Sequence, residues 1–167
     1  MEFTVVEGDI AAQEADALVN AANTGLRMGS GVAGALRAAA GDELNDASVS
    51  QGPVDLGGVA VTDAFGLDAD YVIHAAAMPR GGRATAESIR TATRNALAAA
   101  DDLGCESLVL PALGCGVAGF DLAEGARLIA AEIDAFEPGS LSDVRVIGYG
   151  DEEYETIRAA AATVRGE

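Results

Sequence analysis

The chain's 167 residues include 27 acidic and 10 basic side chains, a net charge of −17 and a pI near 4.1. That balance excludes a nucleic-acid backbone or an anionic membrane surface as direct partner. Half of the residues are hydrophobic but only 4% are aromatic, so Ala, Val, Leu and Ile must fill the core of a single domain spanning 1–167.

All ten basic residues are arginines. Acidic excess without lysine, with abundant alanine, suggests a protein kept soluble in concentrated salt, as in a halophilic prokaryote; an acidic solvated surface is the plainer alternative. Cys105 and Cys115 offer no disulfide framework and read as free thiols of a reducing compartment. With no leader-like segment and no apolar run of spanning length, the expectation is a cytoplasmic domain without membrane contact.

Phe3 to Val6 reads as a first strand ending in Glu7-Gly8-Asp9-Ile10. Asp9 then stands where open α/β sheets bind ligands, or it caps a turn through Gln13. Ala17 to Val19 is a short buried strand. It passes through Asn20 and Asn23 into the turn Gly29-Ser30-Gly31 and a helix from Val32 to Ala40. A glycine turn opening a helix gathers free backbone N–H groups at the positive end of a dipole, an anion site that phosphate usually occupies. The two asparagines offer donors and acceptors to a neutral polar partner such as a sugar.

Asp42 should cap a second helical piece, stopped by Gly52-Pro53. Val59 to Phe65 alternates as a strand does, and Tyr71 to Ala75 is a further buried strand. Met78 to Arg83 is a Pro/Gly loop with two arginines. Thr85 to Leu103 keeps helical spacing and Gly104 closes it. Ser107 to Leu110 is an apolar strand running into Pro111 and a second glycine turn. There GCGVAG, Gly114 to Gly119, nearly repeats GSGVAG, Gly29 to Gly34. Two such turns imply two phosphates. Asp121 with Glu124 opens a helix faced by Leu122, Ala126, Ile129, Ile133 and Phe136. Val144 to Gly148 is the last strand, and Asp151 starts the last helix. Tyr149, between two glycines, is placed to stack on a base or to sit half-exposed at an edge. The alternation predicts a layered α/β fold with a mostly parallel, mixed sheet.

Both turns match G-x-G-x-x-G, which taken alone points to a dinucleotide oxidoreductase. No acidic ribose clamp follows the second turn at the required distance, where Glu137-Pro138-Gly139 stands, and a P-loop needs a lysine that the chain lacks. His74, the one histidine, reads as a buried strand histidine. A zinc site would need three or four N/S ligands, so no metal is expected. A Cys115–His74 hydrolase, with the thiol activated by a helix N-terminus, lacks a third orienting group; small-residue fit is the alternative for Cys115.

Gly8-Asp9-Ile10, the box Val19-Asn20-Ala21-Ala22-Asn23, the turn Gly29 to Gly34 and the run Pro111 to Val117 together resemble the macrodomain family across essentially the whole chain. The resemblance implies a three-layer α/β/α sandwich around a mixed six-stranded sheet, with ADP-ribose at the strand ends and no further cofactor. It implies that Asp9 accepts from the adenine amino group, that the Ile10 amide meets the ring and that Tyr149 stacks on it. Asn23, with Asn20 in the same box, would lie by the distal ribose. Gly29, Ser30, Gly31 and Val32 would wrap the pyrophosphate from one side, and Gly114, Cys115, Gly116, Val117, Ala118 and Gly119 from the other, with Phe120 near the second turn. Ala33 stands where the subgroup that removes mono-ADP-ribose from acidic side chains has an aspartate. The implied functions are therefore an ADP-ribosyl hydrolase relying on Asn23, or a reader of ADP-ribosylated macromolecules, acting as a monomer.

Overall fold

The computed structural model describes residues 1–116 and 119–167. Six strands, β1 (Thr4–Glu7), β2 (Ala17–Asn23), β3 (Val59–Asp63), β4 (Tyr71–Met78), β5 (Ser107–Pro111) and β6 (Asp143–Gly148), form one sheet in the order β1-β6-β5-β2-β4-β3. Only β3 runs antiparallel to its neighbour. The expected mixed six-stranded sheet is present.

Helices α1 (Gly31–Ala40) and α2 (Asp42–Ser50) cover one face, and α3 (Ala86–Asp102), α4 (Leu122–Ala135) and α5 (Asp151–Arg165) the other. Covering on both faces explains why β2 and β4 read as continuous apolar runs rather than alternating ones. Alternate residues of β2 then divide between two cores: Ala17 and Val19 pack under α3 and α4, Leu18 under α1. Alanine is abundant on α3 and on β4, where Ala75, Ala76 and Ala77 are fully buried, so the layers approach closely without aromatic filler.

Helix α3 shows how the local sequence fixes an element. Thr85 Oγ1 accepts from Ser88 N at 3.1 Å, and Ser88 Oγ accepts from Thr85 N at 2.8 Å, a reciprocal cap that satisfies two first-turn donors. Ile89, Ala92, Ala96, Leu97 and Ala100 then recur on one face and are fully buried. Ile89 and Leu97 each contribute about 1.5–3 kcal/mol by leaving water. Leu97→Ala would cost about 2–5 kcal/mol.

Element ends moved slightly from the sequence reading: β1 is shifted one residue on, and β3 stops at Asp63 because Ala64 to Leu67 turns. Asp42 is not the cap of α2. Gly41, at φ +100°, occupies that position, and Asp42 lies inside the first turn, where its charge favours the helix dipole. Asp121 does cap α4, accepting from Glu124 N at 3.0 Å.

Candidate functional site

Because β1, β6, β5, β2 and β4 are parallel neighbours, the loops after them line up along one edge of the sheet in that order. Each loop brings one group of the sequence-predicted residues. At the β1 end, Gly8 N donates to Gly148 O at 3.0 Å, so the ends of β1 and β6 meet and bring Asp9 beside Tyr149. Asp9 Oδ1 accepts from Ala11 N at 2.9 Å, capping the single turn Ile10–Ala12, while its carboxylate stays exposed. The turn-cap role is therefore real, and the second carboxylate oxygen is left for another donor. Ile10 points its side chain into the core beside Ile147. Tyr149 is 76% exposed, far more than an edge tyrosine needs to be.

One strand further on, the turn after β5 is a folded knot of backbone. Cys115 N donates to Ala112 O, Phe120 N to Gly114 O and Gly119 N to Gly116 O, all at 3.1–3.2 Å. Gly114 is required: at φ +77°, a Cβ there would lie 2.6 Å from the Ala84 Cβ. Among the described residues, a Cβ on Gly116 would meet nothing within 4 Å. Val117 and Ala118 lie outside the described residues. Phe120 is half-buried, close to Gly125.

Of the two readings of Cys115, the structure favours small-residue fit. A helix N-terminus lowers a thiol's pKa, but here burial, with Asp121 and Glu153 nearby, pushes it up to about 12. The Sγ faces Gly125 and the carbonyl of Leu113 at 3.4 Å. This is a neutral packing thiol, which removes the Cys115–His74 hydrolase. Small-residue fit is the role that remains.

The next strand, β2, leads into the other glycine turn. Ser30, the N-cap of α1, has extended backbone and makes no side-chain capping bond. The first-turn amides of a helix have no intrahelical acceptor, so the exposed Gly29-Ser30-Gly31 turn presents donors and the positive dipole end outward. Gly34 permits this turn to lie on its own helix: a Cβ there would be 3.1 Å from the Gly29 carbonyl oxygen.

The two asparagines of the box part company. A register shift between Ala22 and Asn23 re-aims the second at the strand end. Its Oδ1 accepts from Gly25 N at 2.9 Å and its Nδ2 lies 3.5 Å from Arg27 O, leaving amide donor capacity outward. Asn20, by contrast, is 1% exposed and faces inward under α2. Its Nδ2 lies 3.0 Å from His74 Nδ1, and its Oδ1 has no partner among the described residues.

His74 is fully buried among Asn20, Ser48 and Thr62. Thr62 Oγ1 donates to Asp63 O, so it accepts from His74 Nε2 at 3.0 Å, and Nδ1 receives the Asn20 amide. Burial lowers its pKa to about 4, so the ring is neutral and structural. Among the described residues no cluster of metal-ligating side chains occurs, and no helix is long and apolar enough to cross a membrane. A hollow of about 800 Å³ does lie at the opposite end of the sheet, around Phe3, Val144 and Arg165, remote from both glycine turns.

Along the edge the order is thus an exposed aromatic with a carboxylate after β1 and β6, a glycine turn after β5, and an amide with a second glycine turn after β2. From β1 to β2 it spans three strand spacings, roughly 14 Å. The arrangement offers an uncharged ring a place at one end, and anionic and hydroxyl groups a place toward the other.

A family model described as Macro domain matches residues 19–129. An uncharacterized protein of Mycobacterium tuberculosis is 43% identical over 160 residues, 96% of this chain but 45% of that protein. The chain thus spans less than half the length of the mycobacterial relatives it matches. An uncharacterized protein of Pyrobaculum aerophilum is 40% identical over 161 residues, 93% of this chain and 88% of the relative. Among solved structures, a variant of the Oceanobacillus iheyensis macrodomain with ADPR has a TM-score of 0.87 at 26% identity, covering 98% of this chain and 93% of that one. The Trypanosoma brucei macrodomain in complex with ADP-ribose has a TM-score of 0.84 at 27% identity, covering 93% and 67%.

Proposed function

The chain belongs to the Macro domain family, and from that premise we propose that it binds ADP-ribose along this sheet edge and hydrolyses an ADP-ribosyl linkage there. The observation that carries the reading is the order of the loops. Asp9 and Tyr149 come first, the turn at Gly114 follows after β5, and Asn23 and the turn at Gly29 come together after β2, which suits adenine at the β1 end and the pyrophosphate and distal ribose toward β2. Asp9 accepts from the adenine amino group with its free carboxylate oxygen. Backbone amides of the two turns donate to the phosphates, and Asn23 Nδ2 donates to a ribose hydroxyl.

In hydrolysis, water adds to the carbon of the ribosyl bond. The bond to the partner breaks, and the leaving atom takes up the proton that water gives up. The protein's share is orientation: Asn23 holds the ribose, and the turns hold phosphate oxygens near the attacking water. No step is routed through His74, which is sealed in the core, or Cys115, whose thiol is neutral.

Ala33, buried at 6% where the acidic-linkage hydrolases carry aspartate, supports a second reading, a non-catalytic reader of ADP-ribosylated partners. Incubation with glutamate-, serine- and arginine-linked ADP-ribosylated peptides and with O-acyl-ADP-ribose, in molar KCl, separates the two. Release of ADP-ribose that Asn23→Ala abolishes supports the hydrolase. Tight binding of every substrate without release leaves the reader. The composition, with 27 acidic residues and no lysine, supports a salt-rich cytoplasm as the setting and a monomer as the working unit.

A further inference from the structure

Ten arginines serve an otherwise acidic protein, and their distribution is uneven. Five are in ion pairs with Asp or Glu, and Arg165 lies on the carbonyl and ring of Phe3. Of the remaining four, Arg127 stands on α4. Arg27, Arg80 and Arg83 occupy two adjoining loops, are exposed, and make no side-chain ion pair or hydrogen bond among the described residues.

Those loops are joined at the end of the edge beyond Asn23. Asn23 stands opposite Met78 in the β2–β4 register, and Thr24 N donates to Met78 O at 3.1 Å. Arg80 lies over the turn that follows Asn23, since a Cβ on Gly25 would fall 2.6 Å from Arg80 Cδ. The loop is pinned at its other end, where Ala84 packs on Gly114 and Ser88 Oγ donates to Ala77 O at 2.6 Å. It is a held platform, one strand past the position read as the distal-ribose site. Arg80 overlies the turn that follows Asn23, so a group attached to a ribose bound at Asn23 would leave the cleft past this loop, with Arg27 and Arg83 exposed beside it. Asp55, on the neighbouring loop, forms no ion pair with them.

Guanidinium forks match carboxylate and phosphate alike. The charge around them decides between the two. A nucleic acid carries its charges continuously along its length and would run them over a surface of net charge −17, whereas a short acidic peptide can engage the platform alone. We propose that Arg27, Arg80 and Arg83 dock carboxylates flanking the modified residue of an acidic protein substrate. The proposal rests on the ADP-ribose reading of the cleft and adds the class of partner.

The test uses ADP-ribose joined by a non-hydrolysable linkage to peptides whose flanking residues are either Glu/Asp or Gln/Asn, and to a single-stranded oligonucleotide. Free ADP-ribose is the control. Affinities are measured for the wild type and for the triple variant Arg27→Gln, Arg80→Gln, Arg83→Gln, in the lowest KCl that keeps both folded by circular dichroism. The acidic peptide is expected to bind about tenfold tighter than the neutral one, as three modest surface ion pairs allow. The triple variant should lose that preference while holding free ADP-ribose within about twofold of wild type. Three results overturn the proposal: equal affinity for the two peptides, preference for the oligonucleotide, or loss of free ADP-ribose in the triple variant. Failure of the wild type to bind free ADP-ribose overturns the underlying reading as well.

Discussion

Protonation of His74 has nowhere to go in the folded protein, and this gives a stability signature measurable without any ligand. The ring is enclosed by Asn20, Ser48 and Thr62, and a second ring proton would face the amide N–H of Asn20. Its folded pKa of about 4 lies below the ordinary 6.5. As pH falls below 6.5 the unfolded imidazole takes up a proton that the folded ring refuses until about pH 4, so stability falls with pH across that window. Integrated from pH 8 to pH 5, the two pKa values correspond to about 2 kcal/mol. Carboxylates also titrate near the acid end, so the assay compares wild type with His74→Gln by chemical denaturation in molar KCl. The variant is less stable at pH 8, and its deficit should shrink by about 2 kcal/mol at pH 5 because only wild type loses the neutral-ring term. A deficit that stays constant with pH would refute the buried neutral ring.

Asp9→Ala should weaken ADP-ribose binding by about 1.5–3 kcal/mol, as loss of a charged acceptor does, measured by calorimetry; affinity within a factor of two of wild type would leave only the turn cap. The two glycines of the second turn should separate fold from function. Gly114→Val, which clashes with Ala84 at positive φ, should destabilise the protein by about 2–4 kcal/mol in thermal or chemical unfolding. Gly116→Val, where a Cβ meets nothing within 4 Å among the described residues, should unfold like wild type yet lose ADP-ribose; retained binding would remove Gly116 from the phosphate contacts. The melting temperature should rise between dilute and molar KCl as screening relieves repulsion among 27 carboxylates; an unchanged value would contradict the salt-adapted reading.

The layered fold was legible because its signals are local. Apolar runs marked β2, β4 and β5, the spacing of Ile89, Ala96, Leu97 and Ala100 marked α3, and Asp121 marked the start of α4. The groups that line the edge were visible too, since Gly8-Asp9, Asn23 and Tyr149 stand at strand ends and the two glycine turns lie in the loops that follow β2 and β5. Features that depend on contacts between distant segments were not. Asn20 and Asn23 belong to one box, and strand alternation separates their faces, but only the folded pairing shows that one meets His74 and the other stands at the strand end. Ser48 and Thr62 carry no sequence sign of surrounding a histidine. The raised thiol of Cys115 follows from its packing against Gly125 and from Asp121 and Glu153, none of which the turn itself announces. The arginines of the Met78 to Arg83 loop were visible as residues. Their place beside Asn23 came from the β2–β4 register alone.

The most direct measurement of the central claim is calorimetric titration of the wild-type protein with ADP-ribose and, separately, with AMP, in molar KCl. On the proposed assignment, AMP would reach Asp9 and Tyr149 and carries one phosphate, whereas ADP-ribose would also engage the second glycine turn and Asn23. ADP-ribose should bind tighter than AMP by about 2–4 kcal/mol, the worth of the additional charge-assisted hydrogen bonds. Equal affinity for the two, or binding of neither, would contradict the assignment of this sheet edge to ADP-ribose.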